Sequence, residues 1–260
     1  MSAYFESLNR RVSTPPAATA AAPAIVPAPA PAPEVEIATK PRRIVASVQR
    51  LTPGAVPLAY AMLRERLLVA AGDKQLKSLV FAGCDGSEGC TTIVREFAES
   101  LASAGLNVLL VDADLPTAGL TTSLAARGAD LVELVRKKEV PQATAWGRGR
   151  LTVVPSPGGI SDKEAFLRSP ELALWLDNQR AAYDYTFLDA PPILRHADGT
   201  LASVFCDGVV LVARAGITRG YALARARQQL ERAGTTVLGV VLNQVRNPVP
   251  LFLRRYLGTE

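Results

Sequence analysis

The residues best suited to chemistry in this chain are one glycine-rich run and three aspartates. The run is Gly83-Cys84-Asp85-Gly86-Ser87-Glu88-Gly89-Cys90-Thr91-Thr92, preceded by the apolar Leu79-Val80-Phe81-Ala82. A phosphate-binding loop has the pattern G-x-x-x-x-G-K-[ST] between a strand and a helix. Gly83, Gly86 and Gly89 supply the backbone freedom and close approach to phosphate that such a loop needs. Thr91 stands where a Mg²⁺-binding hydroxyl belongs, but the lysine position holds Cys90. Asp112 and Asp114 follow the apolar run 108–111, and Asp189 ends the run 185–188, just before Pro191-Pro192. Carboxylates beside a phosphate loop suit Mg²⁺, which prefers hard oxygen ligands and keeps several waters. A single aspartate at a strand end is commonly a turn or cap residue. Three of them neighbouring one glycine loop point to a nucleotide pocket.

The elements that must position these residues alternate between strand and helix. Apolar runs predict strands over 78–83, 107–112, 151–155, 185–189, 208–213 and 237–242. Helical patterns cover 56–71, opened by Pro57 and ended at Gly72, then 91–103, 129–138, 170–182 and 219–233. Tyr60, Leu63, Leu67 and Ala70 share one face of the first helix. Unbroken apolar strands alternating with helices predict an α/β fold: a parallel sheet covered by helices on both faces. Ligands bind beyond the carboxyl ends of such strands, where Gly83, Asp112, Asp189 and Asn243 all fall.

The 260 residues divide into a tail at 1–50 and a folded domain at 51–260. Residues 13–41 carry eight of the 19 prolines, with alanine filling most of the rest. Proline removes a backbone donor and fixes φ, so this stretch is expected to be disordered in the sense of an extended, semi-rigid spacer. It holds residues 1–12 away from the domain; these read as a frayed terminus or, through Tyr4, Phe5 and Leu8 at helical spacing, as a short docking face. The net charge of +5 splits into +3 over residues 1–50 and +2 over the rest. The near-balanced domain argues against nucleic acid as a partner. A hydrophobic content of 48% supplies a core, yet no apolar run reaches the ~18 residues of a membrane helix. The chain also lacks a signal-peptide pattern. Together these features predict a cytoplasmic protein, and three cysteines fit a reducing compartment.

The motifs in this order resemble those of the bacterial tyrosine kinases of capsular and extracellular polysaccharide production. The resemblance covers about residues 56–246. It rests on Gly86-Ser87-Glu88-Gly89-Cys90-Thr91, on Val108 to Leu115, and on Tyr183-Asp184-Tyr185-Thr186-Phe187-Leu188-Asp189-Ala190-Pro191-Pro192. The segments 207–216 and Gly239-Val240-Val241-Leu242-Asn243-Gln244-Val245 also match. The family implies a phosphate-loop (P-loop) NTPase-like domain that uses ATP or ADP with Mg²⁺. By resemblance, Gly83, Gly86, Ser87, Glu88, Gly89, Cys90, Thr91 and Thr92 cradle the phosphates, and Asn243 lies near the base. Thr91, Asp112 and Asp189 position the metal, and Asp112 and Asp114 activate the acceptor hydroxyl.

Four departures from the family's pattern point the same way. Cys90 replaces the lysine, and Pro116 replaces an arginine. The family's ring-forming Glu-x-x-Arg-x-x-Arg reads Leu58, Ala61 and Arg64 here, so homo-oligomer formation loses most of its charge pattern. Its tyrosine cluster is reduced to Tyr256 within residues 251–260. The expectation is weakened nucleotide binding and severely damaged catalysis. It describes a pseudokinase regulator of a capsule, exopolysaccharide or holdfast-like adhesin, peripheral to the inner membrane through a chain-length or copolymerase protein. The alternatives are an active tyrosine autokinase and a positioning ATPase resembling MinD and ParA. A position at a helix start lowers a thiol pKa and would make Cys90 reactive; the favoured reading is a harmless small replacement.

Overall fold

The computed structural model describes residues 43–44, 58–72, 75–142, 144–146, 148–158, 160 and 162–245. The tail at 1–50 apart from residues 43–44, its docking peptide, Pro57 and Tyr256 lie outside the described residues. In chain order the elements are β1 (Arg43–Ile44), α1 (Leu58–Ala71), β2 (Ser78–Gly83), α2 (Cys90–Ser103), β3 (Asn107–Asp112), α3 (Gly119–Leu124), α4 (Leu131–Lys137) and β4 (Thr144–Trp146). They continue with β5 (Gly149–Val154), α5 (Lys163–Leu167), α6 (Pro170–Ala182), β6 (Tyr185–Ala190), α7 (Ala197–Ser203), β7 (Gly208–Arg214), α8 (Gly220–Arg232) and β8 (Val237–Asn243).

Among the described residues the strands form one sheet in the order β1-β8-β7-β2-β6-β3-β5-β4. Every pairing is parallel except that of β4 with β5, which is antiparallel. The expected parallel sheet is therefore present, with two corrections: an antiparallel edge strand at Thr144–Trp146, and a parallel edge strand at Arg43–Ile44, inside the stretch 1–50 expected to be a disordered tail. Trp146 belongs to that edge and is partly exposed, whereas Trp175 is buried and donates from Nε1 to the Glu139 carbonyl at 2.9 Å.

Side chains on the central strands alternate between two apolar layers, as a strand's period of two requires. Leu79, Phe81, Val108, Leu110, Phe187, Val210 and Val212 face the layer that holds α1 and α2. Val80, Ala82, Leu109, Val111, Leu188, Val209 and Leu211 face the layer that holds α4, α6 and α8. The expected face of α1 is met at Tyr60, Leu63 and Leu67, which are buried, while Ala70 is half-buried. Aromatic rings lock α1 and α2 to the sheet: Phe97 stacks on Phe187 at 5.2 Å and sits 6.0 Å from Tyr60. The Tyr60 hydroxyl donates to Glu96 Oε2 at 2.8 Å.

β2 lies between β6 and β7, so the loop after it emerges at the middle of the sheet. Asp189 on β6 is in register with Phe81 on β2 and with Asp112 on β3. That registry brings residues 108 and 77 positions apart in the chain to one edge of the sheet.

Candidate phosphate and metal site

Strand β2 ends at Gly83, and α2 begins at Cys90. The intervening turn uses the left-handed region at Gly86 (φ 107°), Ser87 (φ 66°) and Gly89 (φ 80°). A side chain is strained there, which accounts for the two glycines. Gly89 is further constrained, because a Cβ on it would lie 2.5 Å from Asn243 Nδ2. No side chain caps α2. Its first N–H groups are thus the unpaired donors that make a helix N-terminus receptive to an anion. A cavity of about 220 Å³ opens there, lined by Gly83, Gly86, Ser87, Glu88, Gly89, Cys90, Thr91, Asp114, Ala190 and Pro192. A larger depression of about 460 Å³ runs along α4 beside Asp130, Glu133, Arg136 and Lys137. It has no glycine loop, and we assign the site by chemistry to the smaller cavity.

Glu88 does not present its carboxylate to the cavity as a free group. It is 4% exposed, and it accepts from the backbone N–H groups of Asp85 at 2.8 Å and Gly86 at 2.7 Å. The loop thereby spends two of its own donors on its own carboxylate. Asn243, expected near a base, instead clamps the loop: its Nδ2 donates to the Glu88 carbonyl at 2.8 Å, and its Oδ1 accepts from Gln244 N–H at 2.7 Å. It does not line the cavity among the described residues.

The three aspartates separate into different roles. Asp112 is fully buried, with one oxygen accepting from Asp114 N–H at 3.1 Å and the other from Thr121 N–H at 2.7 Å and Thr121 Oγ1 at 2.6 Å. Both oxygens hold the start of the following turn, and the side chain does not line the cavity. Asp189 does not line the cavity either; the difference is that both Asp112 oxygens are occupied, whereas Asp189 keeps a spare one. Asp114 does line the cavity, while the Thr117 hydroxyl and N–H hold its carboxylate. Asp189 is 1% exposed and lies against the Thr91 hydroxyl and the Cys90 thiol. Its Oδ2 is buried without a hydrogen-bond partner. Burial pushes its pKa up to about 7, against the Thr91 hydrogen bond and with help from the nearby Asp112 and Asp114 charges.

A buried carboxylate with a spare oxygen, beside a threonine hydroxyl and an uncapped helix start, fits Mg²⁺ held by few protein ligands and several waters. It does not fit an all-protein cage, because among the described residues no group of three His, Cys, Asp or Glu side chains is placed to hold a metal ion. Thr91 and Asp189 would hold the ion, and loop N–H groups would receive phosphate.

Of the two readings of Cys90, the structure supports the inert one over the reactive thiol. Burial, then the Asp189 carboxylate, and then Glu88 and Asp114 raise its thiol well above the ordinary value, outweighing the helix start. No lysine or arginine is among the described residues lining the cavity. His196, the chain's only histidine, is half-buried at the N-terminal boundary of α7 and makes no capping bond.

Arg195, which sequence reasoning passed over, pairs with a residue of the loop. The Arg195 Nε donates to Asp85 Oδ1 at 3.1 Å. The signal available in the sequence was slight: an arginine three positions after Pro192 and an acidic residue early in the loop.

Residues 79–257 match the CobQ/CobB/MinD/ParA nucleotide binding domain. The chain is 31% identical over 192 residues to tyrosine-protein kinase CpsD of Streptococcus agalactiae, covering 69% of this chain and 80% of CpsD. It is 29% identical over 208 residues to the succinoglycan biosynthesis transport protein ExoP of Rhizobium meliloti, covering 78% of this chain and 26% of ExoP. Among solved structures, the kinase domain of Escherichia coli tyrosine kinase ETK superimposes with a TM-score of 0.66 at 22% identity, covering 74% of this chain and 76% of that domain.

Proposed function

The chain belongs to the bacterial tyrosine-protein kinases, within the CobQ/CobB/MinD/ParA nucleotide-binding family, and we propose that it is a pseudokinase. In this reading it binds nucleotide, performs phosphoryl transfer poorly, and regulates the assembly or export of an extracellular polysaccharide. The observation that carries the reading is Cys90. Phosphoryl transfer depends on positioning and on charge stabilisation, and a single cation at the phosphates can be worth ~10³–10⁵ in rate. At position 90 a thiol faces Asp189 in a pocket that also holds Glu88 and Asp114. A thiol so placed offers no positive charge.

Gly86, Ser87, Gly89, Cys90, Thr91 and Thr92 remain the proposed phosphate cradle, with Gly83 and Glu88 shaping it. Thr91 and Asp189 are the proposed Mg²⁺ positions. Bound there, the ion would supply charge neutralisation between phosphate oxygens. Asp114 is the carboxylate closest to the role of hydroxyl activation, since it lines the cavity.

The partner is an inner-membrane chain-length or copolymerase protein. ExoP supports this, since the matching stretch makes up 26% of a protein named for succinoglycan transport. Among the described residues no helix is long and apolar enough to cross a membrane, so a partner would provide the attachment. Homo-oligomer formation through the family's charge pattern is disfavoured. On α1 Leu58 is 75% exposed and Ala61 is exposed where that pattern carries charges.

The test is genetic. Deletion in the source bacterium should change the amount or length of its secreted polysaccharide. Complementation with wild type and with Tyr256→Phe should restore it equally. Failure of Tyr256→Phe alone would show that the tail tyrosine, and hence phosphoryl transfer, is needed.

A further inference from the structure

We propose that Arg195 meets the added phosphate of a bound nucleoside triphosphate from the rim of this site, a binding contact that does not replace the buried cation missing at position 90, so that the domain distinguishes Mg-ATP from Mg-ADP. This deepens the nucleotide-binding part of the reading above and rests on it.

Backbone hydrogen bonds place the residue. After Pro191-Pro192, Ile193 N–H donates to the Gly83 carbonyl and Leu194 N–H to the Cys84 carbonyl, both at 3.0 Å. The two segments run side by side, so the next residues on each, Arg195 and Asp85, face one another and pair. Gln229 on α8 anchors the same segment by donating to the Ile193 carbonyl at 3.0 Å. The guanidinium consequently stands over the glycine turn. A Cβ built on Gly86 would lie 3.6 Å from Arg195 Cζ, from Arg195 Nη1 and from Pro192 Cγ. Gly86 and Pro192 both line the cavity, which puts the guanidinium at its rim.

Charge supplies the second argument. The buried carboxylates Glu88, Asp112, Asp114 and Asp189 crowd the region, and no cation lines the cavity among the described residues. A polyphosphate needs positive charge that the loop alone does not give. Arginine's planar fork matches phosphate oxygens bidentately. Its present partner is a weak competitor, because the pair is exposed (60% for Arg195 and 64% for Asp85), and exposed ion pairs contribute little. A phosphate can therefore take the guanidinium from Asp85. The inner phosphates rest on the α2 N–H groups and the Thr91 region. ATP carries one more charged phosphate than ADP, and in this proposal that added phosphate is the one the guanidinium takes up.

The experiment is calorimetric titration of Mg-ATP and Mg-ADP into the full chain as wild type, Arg195→Gln and Cys90→Lys, with melting curves to verify folding. Wild type should prefer Mg-ATP by about tenfold or more. Arg195→Gln should lose that preference, weakening Mg-ATP about tenfold while leaving Mg-ADP within about twofold. An unchanged ATP/ADP ratio in Arg195→Gln, or no preference in wild type, overturns the assignment. Silence of wild type toward both nucleotides also overturns it, and Cys90→Lys then separates the two readings. If that variant binds, the nucleotide pocket stands and only the role of Arg195 falls; if it is folded and silent, both fall.

Discussion

The Glu88 carboxylate turns back on its own loop and accepts a 2.7 Å hydrogen bond from the Gly86 N–H. A second bond, from Asp85 N–H, makes this a two-point clasp around a turn with three successive demands on backbone geometry: Gly86, Ser87 and Gly89 all have positive φ. The clasp fixes the loop before any ligand arrives, and it keeps a negative charge beside the proposed phosphate position.

Removing the clasp should loosen the loop. Glu88→Ala leaves two N–H groups without their charged acceptor, at a cost of about 1.5–3 kcal/mol. The expected fall in Tm is about 3–12 °C. Amide exchange at Asp85 and Gly86 should accelerate relative to the sheet. A variant with unchanged Tm and unchanged exchange would show that the clasp contributes nothing to stability.

The native thiols should be slow to react. Burial pushes Cys84 and Cys206 up to about 12 and raises Cys90 well above the ordinary thiol range. The thiolate is the nucleophile, so its scarcity near neutral pH limits alkylation. At pH 7.5 the folded chain should take up iodoacetamide far more slowly than the unfolded chain, which offers all three cysteines. The native rate should keep rising above pH 9. Rapid labelling of Cys90 at neutral pH would contradict the burial argument.

Acid should act through Asp207. Its carboxylate accepts from Arg180 Nη2 at 2.6 Å and from the N–H groups of Lys77 and Ser78, each at 2.8 Å. Burial opposes ionisation, but the Arg180 bond and the two backbone bonds outweigh it and hold the pKa below the usual carboxylate range. A lowered folded pKa means this stability is present above the unfolded value of about 3.9 and is lost as pH falls through the folded value. Wild type should therefore lose stability below about pH 4. Asp207→Asn should be about 1–2 kcal/mol less stable at pH 7, with a shallower loss below pH 4. Chemical denaturation at pH 3, 4 and 7 measures both quantities. An equally steep acid limb in Asp207→Asn would remove Asp207 as its source.

The long apolar strands were legible because burial on both faces leaves an unbroken run. The expectations for 78–83 and 107–112 coincide with β2 and β3. Three short helices were not legible. α3 and α5 have six and five residues, too few to establish a helical period, and the seven of α7 include one large apolar residue, Leu201, where the seven of α4 bury Leu131, Leu134 and Val135. β4 was hidden because three residues, Thr144 to Trp146, become a strand only through pairing with β5. At the site, residue type and position along the strand were readable, but side-chain direction was not. Asp112 and Asp189 are both strand-end aspartates in one register, yet Thr121 takes up Asp112 while Asp189 keeps a spare oxygen. Arg195 and Asp85 are separated by 110 residues, and only the backbone ladder at Gly83 and Cys84 explains their meeting.

The central claim is a nucleotide pocket without effective transfer, and phosphotyrosine formation tests it most directly. Purified full chain would be incubated with γ-labelled Mg-ATP, and label on tyrosine followed over hours. The account predicts no accumulation at Tyr256 above the level of a Tyr256→Phe control. Time-dependent labelling of Tyr256 would contradict it and restore the chain to the active autokinases.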